Sequence, residues 1–180
     1  LLVEQLRDQP LLALIGPSGT GKSSLALGGI IPRLREQGPV CLVRTRPGRD
    51  PFGALARVLQ QRSTAPGRAE DPAATRGDPE DRASPAALRA DPFLLGRLLR
   101  RQARHRNQTV VLFVDQLEEV LSSTDAQTHR AYLRCICLAS DDPADPVRVV
   151  LTLRDDFLGR LALDTDIRRA LSRVSVVHPP

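Results

Sequence analysis

The chain has 180 residues, a formal net charge of +5 and a hydrophobic fraction of 41%, which suffices for one α/β domain with a buried core but hardly for two. This composition excludes a wholly disordered chain, and no apolar run approaches the roughly twenty residues of a membrane span. The cysteines Cys41, Cys135 and Cys137 have neither metal-ligand spacing nor a disulfide pattern, so we expect a cytoplasmic location. The sequence lacks methionine and starts at Leu1, which leads us to expect a fragment of a larger chain.

Short apolar runs alternate with helical patterns along the chain. The runs predict strands buried on both faces: Leu11–Ile15, Pro39–Val43, Val110–Val114, Val147–Leu153 and Val174–Val177. The helical patterns cover Lys22–Glu36, Pro51–Gln61, Pro92–Arg106, Thr124–Ala139 and Asp156–Ser172. Such alternation predicts an α/β domain with a parallel sheet covered by helices on both faces.

Residues 62–91 interrupt this rhythm. They are rich in Pro, Ala, Arg, Asp and Glu and carry almost no large apolar side chains. Because such a segment has little to bury, we predict a surface insertion, flexible in part, within a single domain that spans residues 1–180.

The first strand leads directly into GPSGTGKSS, Gly16–Ser24. This stretch fits the phosphate-loop pattern G-x-x-x-x-G-K-[ST], with a strand before it and a helix after it. Glycines let the backbone wrap so that N–H groups surround phosphates, and the following helix directs its positive end toward them. Lys22, the only lysine in the sequence, reaches the β/γ oxygens as a compact charge, and the Ser23 hydroxyl serves Mg²⁺. The predicted nucleotide-binding residues are Gly16, Pro17, Ser18, Gly19, Thr20, Gly21, Lys22, Ser23 and Ser24.

This motif predicts a P-loop NTPase fold, with a parallel five-stranded sheet in the order 5-1-4-3-2. Guanine-specific members read the base with N-K-x-D or T-K-x-D, which requires a lysine outside the phosphate loop. None exists here, so ATP and ADP are the expected nucleotides, with Mg²⁺ as the metal.

The stretch VVLFVDQLEEV places Asp115 at the carboxyl end of the third strand. Ligands bind at this edge of parallel sheets, so we predict that Asp115 holds Mg²⁺ opposite Ser23. Glu118 or Glu119 is then a candidate to orient and activate the attacking water. The alternatives are a helix cap for Asp115 and a solvated helix N-terminus for the remaining glutamate.

The stretch VVLTLRDDF places Thr152 and Arg154 at the end of the fourth strand. If this strand lies between the first and the third, Arg154 lies beside the γ-phosphate and can report its presence. The alternative is an exposed arginine paired with Asp155 or Asp156.

Several stretches together resemble the STAND class of P-loop NTPases, and most closely the novel STAND NTPase domains of multidomain bacterial signalling and defence proteins. They are GPSGTGKSSLALGGIIPRL (Gly16–Leu34), RPGRDPFGALARVL (Arg46–Leu59), VLFVDQLEEVL (Val111–Leu121) and VVLTLRDDFLGRL (Val149–Leu161). The resemblance implies an ATP-driven switch between an effector domain and a sensor array, in which nucleotide exchange and homo-oligomerisation activate the effector.

Carried onto this chain, the resemblance assigns phosphate and Mg²⁺ to Lys22, Ser23 and Asp115, hydrolysis to Glu118 or Glu119, and γ-phosphate sensing to Arg154. The family's apolar-Gly-Arg element before the first strand, its helical lid and its winged-helix region have no counterpart in the sequence. We therefore expect weak nucleotide binding and slow or impaired hydrolysis.

The main alternative is a nucleic-acid-dependent AAA+-like ATPase that uses LLRRQARHR, Leu98–Arg106, as a basic contact. The same residues also fit the solvated face of an amphipathic helix with Phe93, Leu94, Leu98 and Leu99 inward. The second explanation is favoured because stacking aromatics are absent, and neither nucleic acid nor a membrane is expected as a partner. A small-molecule kinase is disfavoured by the glutamate pair, and a structural module with a dead site stays open.

Overall fold

The computed structural model describes residues 2–63, 83–161 and 175–177. The strands are β1 Leu11–Ile15, β2 Val40–Thr45, β3 Thr109–Val114, β4 Val147–Leu153 and β5 Ser175–Val177. The helices are α1 Leu2–Asp8, α2 Lys22–Ser24, α3 Ile31–Glu36, α4 Pro51–Ser63, α5 Pro85–Ala90, α6 Leu94–Arg106, α7 Glu118–Ser123, α8 Ala126–Leu138 and α9 Leu158–Leu161. A π-helical segment, Leu25–Ile30, joins α2 to α3, and a 3-10 turn, Asp155–Phe157, precedes α9.

The strands form one parallel sheet in the order β2-β3-β4-β1-β5. The predicted α/β class with a parallel sheet is confirmed, and β1 to β4 take the expected relative order. The three residues of β5 pair with the outer side of β1, where the expected order places a fifth strand. Because β4 lies between β1 and β3, the carboxyl ends of these three strands are neighbours at one edge of the sheet.

Helices cover both faces of the sheet, which explains why the strands are apolar on both sides. All five residues of β1 are buried. Ala13 packs in a cluster with Leu55 of α4 and Leu99 of α6, whereas Leu14 packs on the opposite face with Ile30. Full burial of a leucine or isoleucine side chain stabilises the folded state by about 1.5–3 kcal/mol.

The predicted helix Lys22–Glu36 exists, but its middle is wound more widely than an α-helix. The Ile31 N–H bonds to the Ala26 carbonyl five residues back, and Pro32 follows immediately. Proline has no N–H, and its ring clashes with the carbonyl four residues earlier, so a wider turn before it relieves the strain.

Three helices lie outside the five predicted helical patterns. α1 buries Val3 and Leu6 against the sheet, α7 follows β3 directly, and α5 lies within the predicted insertion. Ser84 caps α5 by accepting from the Ala87 N–H, and Leu88 is fully buried. The described end of the segment 62–91 therefore packs on the domain, which corrects the expectation of a surface insertion there, while residues 64–82 lie outside the described residues.

Two smaller differences concern the later helices. On α6, Leu94 and Leu99 are buried as expected, but Phe93 is 50% exposed because it precedes the helix and lies off its apolar stripe. Of the helical pattern Asp156–Ser172, only the first residues are described. Within the described ranges, none of the helices combines the length and the hydropathy that a membrane span needs.

Candidate nucleotide-binding site

The loop between β1 and α2 is wrapped tightly at the carboxyl edge of the sheet. Gly19 and Gly21 have left-handed backbone angles, with φ of 82° and 78°, which side chains other than glycine adopt only with strain. The Gly16 N–H donates to the Leu153 carbonyl at 3.3 Å, and the Thr20 hydroxyl donates to the Pro17 carbonyl at 2.9 Å. The loop is thereby fixed to β4 and directs its backbone at the start of the helical run, as an anion-binding loop requires.

The Lys22 side chain is folded over this loop. Its Nζ donates to the Gly16 carbonyl at 2.7 Å and to the Pro17 carbonyl at 2.6 Å, and the residue is only 9% exposed. Two carbonyl oxygens therefore satisfy a buried charge that would otherwise be costly. Phosphate oxygens are stronger, charged acceptors for the same ammonium group.

Ser23 and Asp115 meet at the same edge, as the sequence predicts. The Ser23 hydroxyl donates to Asp115 Oδ1 at 2.6 Å, and the Thr152 hydroxyl donates to the same oxygen at 3.0 Å. Asp115 is 4% exposed and Thr152 is 1% exposed. The phosphate loop, β3 and β4 thus each contribute one oxygen-bearing side chain to a single point.

Asp115 has a further partner that the sequence interpretation missed. Arg44 at the end of β2 donates from Nη2 to Asp115 Oδ2 at 2.7 Å, and its guanidinium lies 5.8 Å from the centre of the Phe113 ring. Burial by itself raises the pKa of Asp115, but the hydrogen bonds from Ser23, Arg44 and Thr152 together hold that pKa below its usual value. The carboxylate is therefore ionised at neutral pH.

The turn that leaves β3 is strained and is held by β4. Gln116 has φ of 61°, a left-handed angle that costs a non-glycine residue about 1–2 kcal/mol. The Thr152 hydroxyl accepts from the Gln116 N–H at 2.8 Å, and the Thr152 carbonyl accepts from the Leu117 N–H at 2.9 Å. Thr152 therefore fixes both the Asp115 carboxylate and the backbone that follows it.

The structure distinguishes the two glutamates. Glu119 Oε1 accepts from Arg46 Nε at 2.8 Å and Nη2 at 2.5 Å, and its Oε2 accepts from the Gly48 N–H at 3.0 Å. Both Glu119 oxygens are thereby used to hold the loop after β2 against α7. Oε2 of Glu118 has no hydrogen-bond partner among the described residues, so this glutamate, unlike Glu119, is not engaged at both oxygens.

Arg154 follows Leu153, whose carbonyl contacts the phosphate loop, and β4 does lie between β1 and β3. The guanidinium, however, donates to both oxygens of Asp156, from Nε at 3.1 Å and from Nη2 at 2.7 Å. It also lies 5.7 Å from the centre of the Phe157 ring. The backbone is placed as the sensor interpretation requires, while the side chain forms the surface ion pair of the alternative.

The donor set at the Ser23–Asp115 contact suits a hard cation, because it consists of hydroxyl and carboxylate oxygens. Within the described part of the chain, His, Cys, Asp and Glu form no group of three or more that would hold a metal by themselves. Mg²⁺ in phosphate-binding sites is held by one or two protein groups together with phosphate oxygens, and the residues present fit that mode.

The phosphate loop, the acid at the end of β3 and the strand order define a P-loop NTPase. The chain belongs to the family described as Novel STAND NTPase 1, nSTAND1, whose model matches residues 1–180. The predicted membership of the STAND class is thereby confirmed, and the domain is the NTPase domain of that class. The sequence has no significant match among curated proteins.

The chain is similar to several solved structures at low sequence identity, and the first of those named supports the fold. The ORC2 protein of Aeropyrum pernix, solved as ADPNP–ADP complexes, has 16% identity and a TM-score of 0.65, and the match covers 99% of this chain and 45% of that one. A Walker-type ATPase of Pyrococcus abyssi has 15% identity and a TM-score of 0.49, over 94% and 46% of the two chains. Cdc6p of Pyrobaculum aerophilum has 16% identity and a TM-score of 0.47, over 97% and 44%. The chain thus spans less than half the length of these structures.

Proposed function

We propose that this domain binds ATP and ADP with Mg²⁺, hydrolyses ATP slowly, and acts as the nucleotide-dependent switch of a larger signalling or defence protein. The observation that carries the proposal is the 2.6 Å hydrogen bond between Ser23 and Asp115. It joins the phosphate loop to the acid of β3, which is the pairing that Mg²⁺–nucleotide binding requires. ATP is preferred to GTP because the sequence has no lysine for a guanine-reading element.

Each residue of the loop has a defined task in this proposal. Lys22 exchanges its bonds to the Gly16 and Pro17 carbonyls for β/γ-phosphate oxygens, which are charged acceptors. Ser23 and Asp115 would hold Mg²⁺, which neutralises charge on the phosphate oxygens when it is bound. Thr152 keeps the Asp115 carboxylate directed at Ser23.

For hydrolysis, we assign water activation to Glu118 and a positioning role to Glu119. Glu119 is engaged at both oxygens by Arg46 and Gly48, so it has little capacity to accept a proton from water. Glu118 retains an oxygen without a hydrogen-bond partner, so it keeps the capacity to accept a proton once a side-chain rotation turns that oxygen toward bound water.

Arg154 is proposed to sense the γ-phosphate by leaving Asp156. Both residues of that pair are substantially exposed, at 44% and 52% of their side chains, and exposed pairs of this kind contribute little to stability. A phosphate group therefore competes readily for the guanidinium, which is suited to bidentate phosphate recognition.

Effector and sensor domains of the parent chain, and nucleotide-dependent homo-oligomerisation, follow from the family assignment and belong to the proposal. The basic helix α6 gives little support to the nucleic-acid alternative. Within the stretch Leu98–Arg106, Arg100 is already paired with Asp141 and Asp145.

The test is calorimetric binding of ATP, ADP and GTP with Mg²⁺ to the 180-residue chain, alongside Lys22→Ala, Asp115→Ala and the control Arg97→Ala. We expect adenine nucleotides to bind the native chain and the control alike, and both site variants to lose most of the affinity. Phosphate release from ATP without any added acceptor supports the hydrolase over a kinase. Equal binding by native chain and Lys22→Ala would exclude the proposed site.

A further inference from the structure

The two carboxylate oxygens of Asp115 have chemically different partners. Oδ1 accepts from the hydroxyls of Ser23 and Thr152, at 2.6 and 3.0 Å. Oδ2 accepts from Arg44 Nη2 at 2.7 Å. A neutral pair of hydroxyls therefore holds one oxygen, and a permanent cation occupies the other.

Strand pairing keeps Arg44 beside Asp115. Arg44 is aligned with Phe113 in the parallel ladder between β2 and β3, and the Asp115 N–H donates to the Thr45 carbonyl at 2.9 Å. The Arg44 side chain is 53% exposed, whereas that of Asp115 is 6% exposed. Arg44 thus approaches the buried acid from the solvent side, along an edge strand, and supplies its counter-charge.

Two effects of Arg44 weaken the binding of a metal ion to Asp115. The outer oxygen already accepts a charge-assisted hydrogen bond, and the guanidinium adds a positive charge in contact with the acid. Because the guanidinium is half-exposed, it can move into solvent when a metal ion takes its place as the counter-charge of Asp115.

We propose that Arg44 competes with Mg²⁺ for Asp115 and thereby sets the Mg²⁺ concentration at which the site takes up nucleotide. The inference rests on the proposed nucleotide-binding function and deepens it, by naming a residue that tunes metal dependence from outside the phosphate loop. If Arg44 instead only positioned Asp115 for the metal, its removal would have the opposite effect.

The experiment measures binding of a fluorescent ADP analogue to the 180-residue chain as Mg²⁺ is titrated. Native chain is compared with Arg44→Gln, with the charge-retaining Arg44→Lys, and with the control Arg49→Gln, which removes the same charge from an exposed position in the loop after β2. We expect half-saturating Mg²⁺ to fall about fivefold in Arg44→Gln, as for loss of one partly exposed ion pair, and to stay near the native value in the other two.

A second readout does not depend on bound nucleotide. Without Mg²⁺ and nucleotide, Arg44→Gln should have a lower melting temperature than the native chain, because Asp115 loses its counter-charge. An unchanged or increased Mg²⁺ requirement in Arg44→Gln overturns this inference alone, provided that the native chain binds ADP. Failure of the native chain to bind ADP at any Mg²⁺ concentration overturns the proposed function, and this inference with it.

Discussion

The Ser23 hydroxyl and the Asp115 carboxylate lie 2.6 Å apart although the two residues are 92 positions apart in sequence. Two separate strand-to-helix transitions must reach the same edge of one sheet to create this contact, and the order that places β4 between β1 and β3 achieves it. The contact is the smallest unit that joins the phosphate loop to the acid that we propose as a metal ligand.

The first prediction tests this unit. Ser23→Ala and Asp115→Asn should each weaken Mg²⁺-dependent ADP binding about tenfold or more, since the first removes the hydroxyl and the second the negative charge that we propose to serve the metal. The double variant should lose less than the product of the two effects, because both residues act on one ion. Calorimetry with and without Mg²⁺ measures the coupling, and strictly multiplicative losses would contradict a shared site.

The second prediction separates the two glutamates. Glu118→Gln should lower the rate of phosphate release about 100-fold with nucleotide affinity retained, because a neutral amide cannot take a proton from water. Glu119→Gln should instead lower the free energy of unfolding by about 1 kcal/mol, since the Arg46 ion pair and a charge-assisted bond to the Gly48 N–H are weakened.

Single-turnover hydrolysis measures the rate of phosphate release in both variants, and urea denaturation measures their free energy of unfolding. A larger loss of hydrolysis in Glu119→Gln than in Glu118→Gln would reverse the assignment.

The third prediction concerns Arg154. Arg154→Ala should reduce the preference for ATP over ADP, because it removes the proposed γ-phosphate contact, whereas Asp156→Ala should increase that preference by freeing the guanidinium. Equilibrium competition between the two nucleotides provides the measurement. If the ratio of ATP affinity to ADP affinity is the same in the native chain and in both variants, Arg154 does not sense the γ-phosphate.

The fourth prediction tests the packing of α5 on the domain. Leu88 is fully buried in the cluster that contains Leu55 and Leu99, so Leu88→Ala should lower the free energy of unfolding by about 2–5 kcal/mol. Ala86→Ser, at an exposed position of the same helix, is the matched control and should change it by less than about 0.5 kcal/mol. A change below 1 kcal/mol in Leu88→Ala would show that α5 does not pack as described.

Leu88 also illustrates where sequence reasoning failed. Composition averaged over residues 62–91 is dominated by Pro, Ala and charged residues, and one buried leucine with a serine cap does not alter that average. The strands and the phosphate loop were predictable because their signals are local: a β-branched run, a glycine pattern, and an acid at the end of a run.

Contacts set by register were not predictable in the same way. The apolar run predicts a second strand that ends at Val43, yet β2 continues to Thr45 and carries Arg44 to Asp115. The choice between Glu118 and Glu119 likewise depends on the loop at Arg46 and Gly48, which comes from another part of the chain.

The fifth prediction follows from the cap of α8. The Thr128 hydroxyl and N–H, and the Gln127 N–H, donate to the Asp125 carboxylate and lower its pKa from 3.8 to about 2. Because the folded-state pKa is depressed, the stabilisation is fully present above pH 3.8 and is lost as the pH falls toward 2. Asparagine caps helices about as well but does not titrate, so Asp125→Asn should be nearly as stable as the native chain at pH 7 and should lose less stability between pH 4 and 2. Urea denaturation at both ends of this interval makes the test, and parallel pH profiles for the two chains would show that Asp125 contributes nothing to acid sensitivity.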